Sequence, residues 1–232
     1  MTRPLPTHAV ETVLFDMDGV LYDSMPRHAT AWMEMCRKTG IEATYDEFFG
    51  YEGRTGVSTI QLLTERQFGK AVSEAQAKAM YAIKSAAFAA MDPAPVMPGA
   101  QESVQAVMEA GAVPVLVTGS GQKTLLERLE RDFPGAFAPR LRVTAFDVTH
   151  GKPHPEPYLK GLAKAGTTAQ RALAVDNAPL GVASASQAGI YTIGARTGPI
   201  ATGELLKAGA DEEIAGMEAV AARLRHILAT LR

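Results

Sequence analysis

Five short, mostly apolar segments recur along this 232-residue chain, and each of the first four runs into a polar turn and then a helical stretch. They cover residues 10–15, 113–117, 141–145, 172–175 and 190–193. Short β-branched runs bounded by polar loops are typical of buried strands. Strands that alternate with helices predict an α/β fold with a doubly wound, mostly parallel, Rossmann-like sheet. The functional site of such a sheet lies at the carboxyl ends of its strands.

One region interrupts this alternation. Three segments, 27–38, 57–68 and 73–91, have helical spacing and are rich in Ala, Met, Lys and Gln, without a strand pattern between them. A proline-rich stretch at 92–99 then predicts a linker. We therefore predict a core domain of residues 1–24 plus 95–232, and a small all-helical insert of residues 25–94, called the cap below.

Composition excludes several classes of protein. With 23 basic and 25 acidic side chains and a net charge of -2, the chain is not expected to bind nucleic acid or an anionic membrane. A single cysteine, Cys36, forbids an internal disulfide and a multi-cysteine metal site. The chain has no apolar run of about 18 residues and no apolar leader segment. We expect a cytoplasmic protein that is a monomer or a weak homo-oligomer.

The first predicted strand ends in Asp16-Met17-Asp18-Gly19. Residues i and i+2 of an extended segment face the same side, so the two carboxylates share one space. They repel each other unless a cation or a shared proton relieves the repulsion. A glycine permits a sharp turn after them. Taken alone, the motif also fits an ordinary loop with a capping aspartate.

Two further strands are followed by groups that suit a phosphate. Thr118-Gly119-Ser120 combines a hydroxyl, a glycine and the start of a predicted helix, which together form an anion cradle. Lys152 lies in a loop between Gly151 and Pro153, where it offers a compact cation. Each also has an ordinary interpretation, as a helix cap or as a surface lysine.

The fourth strand ends in Asp176-Asn177 before a predicted helix. Two oxygen-bearing side chains at a strand end suit a hard cation such as Mg²⁺. Each of the four signals is moderate by itself. Their order, with each at the end of a predicted strand, makes the combination specific.

These motifs resemble those of the haloacid dehalogenase superfamily of phosphotransferases, and most closely its β-phosphoglucomutase-like branch. The resemblance covers the whole chain. It rests on FDMDGVLYDS at 15–24, TGS at 118–120, GKPHPEPY at 151–158 and DNAPLGV at 176–182, and the helical cap matches independently.

The resemblance implies roles for the motif residues. Asp16 would be the nucleophile that forms an aspartyl-phosphate, and Asp18 the general acid and base. Thr118 and Lys152 would hold the transferring phosphoryl group, with Gly119 and Ser120 beside the substrate. Mg²⁺ would bind Asp16, the backbone carbonyl of Asp18, and the Asp176/Asn177 pair.

The cap contributes further candidates. His28 and Trp32 resemble the DS…H…AW pattern of this branch, in which the histidine places the acid–base aspartate. A histidine packed at the hinge is the alternative. Arg54, in the loop Glu52-Gly53-Arg54-Thr55, would bind the substrate with its planar guanidinium. Lys84 is a weaker candidate, because a solvated lysine is the usual case on a helix.

Three features depart from the family pattern or stay outside it. Asn177 occupies a position that is usually acidic, so the cation would meet one negative charge less. Tyr22 is bulkier than the residue often found there, and either narrows the pocket or packs under the cap. His150 and His154 are interpreted as loop-surface residues, since two histidines without a third ligand make a poor zinc site.

The resulting expectation is a Mg²⁺-dependent phosphohydrolase of small phosphorylated metabolites, sugar or polyol phosphates above all. The first alternative is β-phosphoglucomutase, in which a second sugar hydroxyl replaces water as the acceptor. A phospho-accepting receiver module is disfavoured by the motif order and by the cap. A dehalogenase is disfavoured by Asp18, because halide displacement needs no acid for the leaving group.

Overall fold

The structure is a computed structural model that describes residues 3–121 and 123–231. Its centre is a six-stranded sheet in the order β3-β2-β1-β4-β5-β6, in which every pairing is parallel. The strands are β1 (Thr12–Phe15), β2 (Val113–Val117), β3 (Arg142–Val143), β4 (Ala172–Asp176), β5 (Tyr191–Arg196) and β6 (Glu212–Ala215). The predicted α/β class is therefore confirmed.

The differences from the predicted strands lie mainly at the sheet edges. The last strand, β6, was not predicted, because its sequence EEIA has no apolar run and its residues are only partly buried. At the other edge, β3 shrinks from the predicted 141–145 to two residues. The predicted segment 190–193 begins one residue before β5, which runs from Tyr191 to Arg196 and is therefore longer than predicted. Edge strands are less completely buried than central ones, so their sequences contain fewer apolar residues and are harder to recognise as strands.

Four helices of the cap follow β1 and end before residue 94. They are α1 (Met25–Thr39), α2 (Glu47–Gly50), α3 (Gly56–Phe68) and α4 (Glu74–Ala89). The short helix α2 was not predicted. These helices enclose a hydrophobic cluster of their own, which includes Trp32, Met35, Phe48, Ile60 and Leu63. The boundaries of the two domains, at 24/25 and 94/95, stay predictions.

Six further helices cover the two faces of the sheet: α5 (Ala100–Glu109), α6 (Lys123–Asp132), α7 (Glu156–Ala165), α8 (Pro179–Gln187), α9 (Glu204–Lys207) and α10 (Met217–Thr230). The helical stretch that the sequence predicts after the segment 113–117 spans 122–132, and its first residue lies outside the described residues. Alternation along β1 divides the core, because Val13 and Phe15 belong to one buried cluster and Leu14 to the other. Within the described part of the chain, none of the helices combines the length and apolarity that crossing a membrane requires.

Candidate active site

The central strands deliver their polar residues to one edge of the sheet. β1 lies between β2 and β4, so Asp16, Thr118 and Asp176 emerge side by side. Lys152 reaches the same point from the loop before α7. Its Nζ donates to Oδ1 of Asp16 at 2.6 Å and to Oδ2 of Asp176 at 2.7 Å. The structure therefore brings the first, third and fourth motifs into direct contact.

The side chains of Lys152, Asp16 and Asp176 are all buried, so the charge of each one acts strongly on its neighbours. Burial by itself lowers the pKa of Lys152, but Asp16 and Asp176 outweigh it and raise that pKa above its ordinary value. Burial, followed by repulsion from Asp176 and Asp18, raises the pKa of Asp16 to about 7 against the opposing pull of Lys152. A charged lysine thus holds the carboxylate that the sequence nominates as the nucleophile.

Asp18 receives two hydrogen bonds on one oxygen. Ser24 donates its hydroxyl to Oδ1 at 2.6 Å, and Nε2 of His28 lies 2.8 Å from the same atom. Burial would raise the pKa of Asp18, but His28, the bond from Ser24 and the charge of Lys84 together lower it. The partners fix the orientation of this carboxylate and favour its ionised form.

Lys84 is not solvated, so the expectation for this residue was wrong. It is 1% exposed, and its Nζ lies 2.5 Å from Nδ1 of His28. When Lys84 is charged it can only donate, so Nδ1 of His28 accepts and the Nε2–H of His28 donates to Asp18. Burial lowers the pKa of Lys84 to about 7, and burial together with Lys84 lowers the pKa of His28. The inward face of α4 comes from its packing on α1.

The second motif forms the wall opposite the cap. Oγ1 of Thr118 accepts a hydrogen bond from the backbone N–H of Ser120 at 2.9 Å. Gly119 has no room for a side chain, because a Cβ there would lie 2.5 Å from the carbonyl oxygen of Gly53 in the cap. The cap loop therefore lies directly on this core loop. One pocket is lined by residues of both, namely Asp16, Asp18, His28, Arg54, Lys84, Thr118, Gly119 and Ser120.

Arg54 lies in the turn before α3, and one of its guanidinium nitrogens contacts the first turn of that helix. Its NH1 donates to Oγ of Ser58 at 3.2 Å. Its buried Nε has no hydrogen-bond partner among the residues that the structure describes. A buried donor of this kind is costly unless something occupies it. Arg54 also lines the pocket, and a guanidinium is chemically able to donate to an anionic or hydroxyl-bearing ligand.

The fourth motif supplies side-chain oxygens of the kind that bind a metal cation. Tyr158 donates its hydroxyl to Oδ2 of Asp176 at 2.6 Å, and the amide Nδ2 of Asn177 donates to Oε1 of Glu52 at 3.0 Å. The other amide atom of Asn177, Oδ1, is buried and has no partner within the described chain. Carboxylates of Asp16, Asp18 and Asp176 surround the same edge. These hard oxygen donors fit a divalent cation such as Mg²⁺.

Glu52 is a site residue that sequence reasoning did not single out. It was only one letter of the substrate-facing loop, and an acidic residue in a loop carries no signal of burial. The structure buries it, and burial and then repulsion from Asp16 raise its pKa well above the ordinary value, although Asn177 opposes this. Tyr22 takes the packing alternative, since its ring is buried in the larger core cluster and its hydroxyl donates to Asp132 at the end of α6 at 3.1 Å.

The expectation that His150 and His154 lack a third ligand was also wrong. Glu156 lies with them, and one ligand atom of each residue falls within 4.8 Å of the others. The carboxylate of Glu156 already accepts from the N–H groups of Thr149 and His150 and pairs with Lys160. Both histidines are exposed, as expected.

Comparison with known proteins places this site in a family. Residues 10–189 match the family model of haloacid dehalogenase-like hydrolases, a span that contains all four motifs and the cap. The chain belongs to the haloacid dehalogenase-like hydrolases. This confirms the resemblance on which the role assignments rest. The protein is accordingly an enzyme, either a phosphatase or a phosphomutase.

Individual relatives agree with the family assignment. The chain is 30% identical over 181 residues to hexitol phosphatase A of Escherichia coli, covering 78% of this chain and 80% of that protein. It is 30% identical over 206 residues to a phosphorylated carbohydrates phosphatase of Thermotoga maritima, covering 87% and 92%. A solved structure of a provisional β-phosphoglucomutase from Bacteroides vulgatus is 42% identical, with a TM-score of 0.92 over 97% of this chain and 91% of that one.

Proposed function

We propose that this haloacid dehalogenase-like hydrolase is a Mg²⁺-dependent phosphohydrolase of small phosphorylated metabolites, with sugar phosphates as its substrates and an aspartyl-phosphate on Asp16 as its intermediate. The observation that carries the proposal is the bridge from Lys152 to both Asp16 and Asp176 at 2.6 and 2.7 Å. The relatives act on phosphorylated carbohydrates and hexitol phosphates by name, which supports the substrate class.

Asp16 attacks the phosphorus, and its neighbours prepare it for that role. Lys152 aims the carboxylate and offsets its charge, while the hydroxyl of Thr118, which lines the same pocket, donates to a phosphoryl oxygen. Asp16, the backbone carbonyl of Asp18, Asp176 and Asn177 would hold Mg²⁺. When bound, this ion supplies positive charge that lets an anionic carboxylate meet an anionic phosphate.

Asp18 handles the proton. Its Oδ1 is occupied by Ser24 and His28, which leaves Oδ2 to give a proton to the leaving oxygen and to take one from the incoming water. The lowered pKa of Asp18 favours the base form, which is the form needed to activate water. The cap covers the pocket and keeps bulk water away from the phosphoryl group.

A β-phosphoglucomutase is the second candidate, because the structure that is 42% identical carries that provisional assignment. The chemistry up to the aspartyl-phosphate is shared, and only the acceptor differs. The two are separated by supplying β-glucose 1-phosphate with a bisphosphate primer. Formation of glucose 6-phosphate faster than release of inorganic phosphate supports the mutase. Faster release of phosphate across a panel of sugar phosphates supports the phosphatase.

The nucleophile is tested with Asp16→Asn, which keeps the shape of the side chain and removes its charge. We expect Mg²⁺-dependent hydrolysis of p-nitrophenyl phosphate to fall to background, because an amide does not form the acyl-phosphate. Asp92→Asn, at an exposed position of the linker, is the matched control and should keep parental activity. Undiminished turnover by Asp16→Asn would contradict the proposed intermediate.

A further inference from the structure

The cap reaches into the cation-type site through one side chain. Glu52 precedes α3 in the cap, yet its Oε1 accepts from Nδ2 of Asn177, a core residue 125 positions further along the chain, at 3.0 Å. Both are buried, at 8% and 2% exposure. The contact exists because residue 19 is a glycine, since a Cβ there would lie 2.0 Å from Nδ2 of Asn177 and 3.0 Å from Oε1 of Glu52.

This bond decides which way the Asn177 amide faces. In the structure the NH₂ group of Asn177 donates to Oε1 of Glu52, and an ionised Glu52, which can only accept, keeps the NH₂ group on that side. The remaining atom, Oδ1, is then directed away from Glu52 and has no partner among the described residues. A buried oxygen without a partner carries a desolvation cost, and an amide oxygen is a ligand that hard cations accept. Glu52 thus holds Asn177 in the orientation that offers a ligand atom.

The negative charge at the carboxyl edge of the sheet also supports a role for Glu52 at the cation site. Glu52 adds a fourth carboxylate to those of Asp16, Asp18 and Asp176, and all four are buried together. Lys152 bridges two of them, and the contact of Glu52 is a neutral amide. Buried negative charge of this density is relieved by protonation or by a cation, and a bound cation lets the carboxylates stay ionised. The family pattern has an acidic residue where this chain has the neutral Asn177. The carboxylate of Glu52, on the cap, lies next to that position.

We propose that Glu52 is a positioning residue of the cation site: it supplies from the cap the negative charge that Asn177 lacks, and it turns Oδ1 of Asn177 toward the cation. The cation consequently binds the closed arrangement of cap and core more tightly than an open one. By linkage, cation binding favours closure by the same factor. This inference rests on the proposed function, because it presupposes the Mg²⁺ site described there.

The packing of the cap loop gives the linkage a structural basis. Gly53, next to Glu52, touches the core at two further places. A Cβ on Gly53 would lie 3.1 Å from Cδ of Lys152, and one on Gly119 would lie 2.5 Å from the carbonyl oxygen of Gly53. The loop therefore cannot withdraw from Asn177 without leaving Gly119 and Lys152 as well. Opening the cap removes the charge of Glu52 from the cation site.

The experiment measures Mg²⁺ binding by calorimetry on the full chain without substrate. Glu52→Gln keeps the shape and an accepting oxygen but removes the charge, and we expect affinity to fall about 10- to 100-fold, as for other supporting residues of metal sites. Glu65→Gln, at an exposed position of α3, is the matched control and should bind as the parent does. Circular dichroism checks that each variant is folded.

Moving the negative charge from residue 52 to residue 177 distinguishes an electrostatic role of Glu52 from a role in packing alone. The double variant Glu52→Gln with Asn177→Asp moves the negative charge from the cap to the core, and we expect its Mg²⁺ affinity to return to within a few-fold of the parent. Small-angle scattering then reports the cap. In the parent, Mg²⁺ alone should make the protein more compact, whereas in the double variant Mg²⁺ should bind without that compaction.

The outcomes distinguish the two proposals. If the parent binds no Mg²⁺ and hydrolyses no phosphate ester with it, the proposed function fails. If the parent binds Mg²⁺ but Glu52→Gln binds it equally well, only the role of Glu52 fails. Mg²⁺-induced compaction of the double variant to the same extent as the parent also overturns the linkage. Weakened binding in Glu52→Gln, restored without compaction in the double variant, supports it.

Discussion

Nζ of Lys84 lies 2.5 Å from Nδ1 of His28, and the opposite ring nitrogen of His28 lies 2.8 Å from Oδ1 of Asp18. Lys84 and His28 stand on two different cap helices, whereas Asp18 belongs to the core. The three side chains therefore form one buried chain of hydrogen bonds from the cap interior to the proposed acid–base residue. Alignment of that residue depends on how the cap is packed.

Replacing His28 should therefore impair catalysis through Asp18. In His28→Gln the carboxylate loses a donor held in a fixed orientation, so we expect turnover to fall by up to about 100-fold, the lower range of acid–base contributions. Because His28 lowers the pKa of Asp18, the acidic limb of the pH–rate profile should move to higher pH. His226→Gln, on the exposed side of α10, is the control. An unshifted profile would argue that His28 only fills space.

Lys84 should make stability depend on pH in the alkaline range. Its pKa falls from 10.5 to about 7 on folding, so between these values the unfolded chain binds a proton that the folded chain lacks. Stability of the parent relative to Lys84→Met should therefore rise from pH 7 toward 10.5 and stay level below pH 7. Urea unfolding without divalent cations measures this difference.

The control for that experiment is Lys78→Met, an exposed position of the same helix that is paired with Glu74. Its difference from the parent should be flat over the same pH range. A flat difference for Lys84→Met as well would show that the lysine is charged in the folded protein throughout.

Gly181 should tolerate no side chain. A Cβ at this position would lie 2.1 Å from both carboxylate oxygens of Asp176. The carboxylate of Asp176 would have to move away from Lys152 and Tyr158, so Gly181→Ala should lose about 1–3 kcal/mol of unfolding free energy, as overpacked cores do. Its Mg²⁺ affinity should fall as well.

The control is Gly198→Ala, where a Cβ meets open space, and this variant should behave like the parent. If Gly181→Ala keeps the stability and the Mg²⁺ affinity of the parent, the close packing of Gly181 against Asp176 is refuted.

Tyr158 should contribute to stability through its bond to Asp176. Removing a fully buried hydroxyl that donates to a carboxylate at 2.6 Å costs about 1.5–3 kcal/mol, so Tyr158→Phe should shift the urea midpoint accordingly. Tyr45→Phe is the matched control, because Tyr45 is 39% exposed and donates to a neutral carbonyl at 3.1 Å. We expect the control to change stability by less than about 0.5 kcal/mol. Equal effects of the two changes would contradict the distinction.

Local patterns predicted most of this fold and most of its candidate site. Alternating strands and helices fix a parallel sheet, and a parallel sheet puts the carboxyl ends of its central strands at one edge. That is why the sequence predicts Asp16, Thr118 and Asp176 at the same edge. The short strand β3 and the polar strand β6 were harder, because burial at a sheet edge is partial and leaves a weak periodic signal.

Sequence alone determined the order of the motifs, which is read directly along the chain. It also determined the class of the sheet and the presence of a helical cap, because the spacing of apolar residues distinguishes strands from helices. Only the tertiary structure decided that Lys84 is buried against His28 and that Glu52 meets Asn177. An Ala-rich helix such as α4 offers several similar faces, so its packing partner selects the one that is buried. The Glu52–Asn177 contact joins residues 125 positions apart. It depends on how the cap rests on the core, and no pattern of adjacent residues encodes that relation.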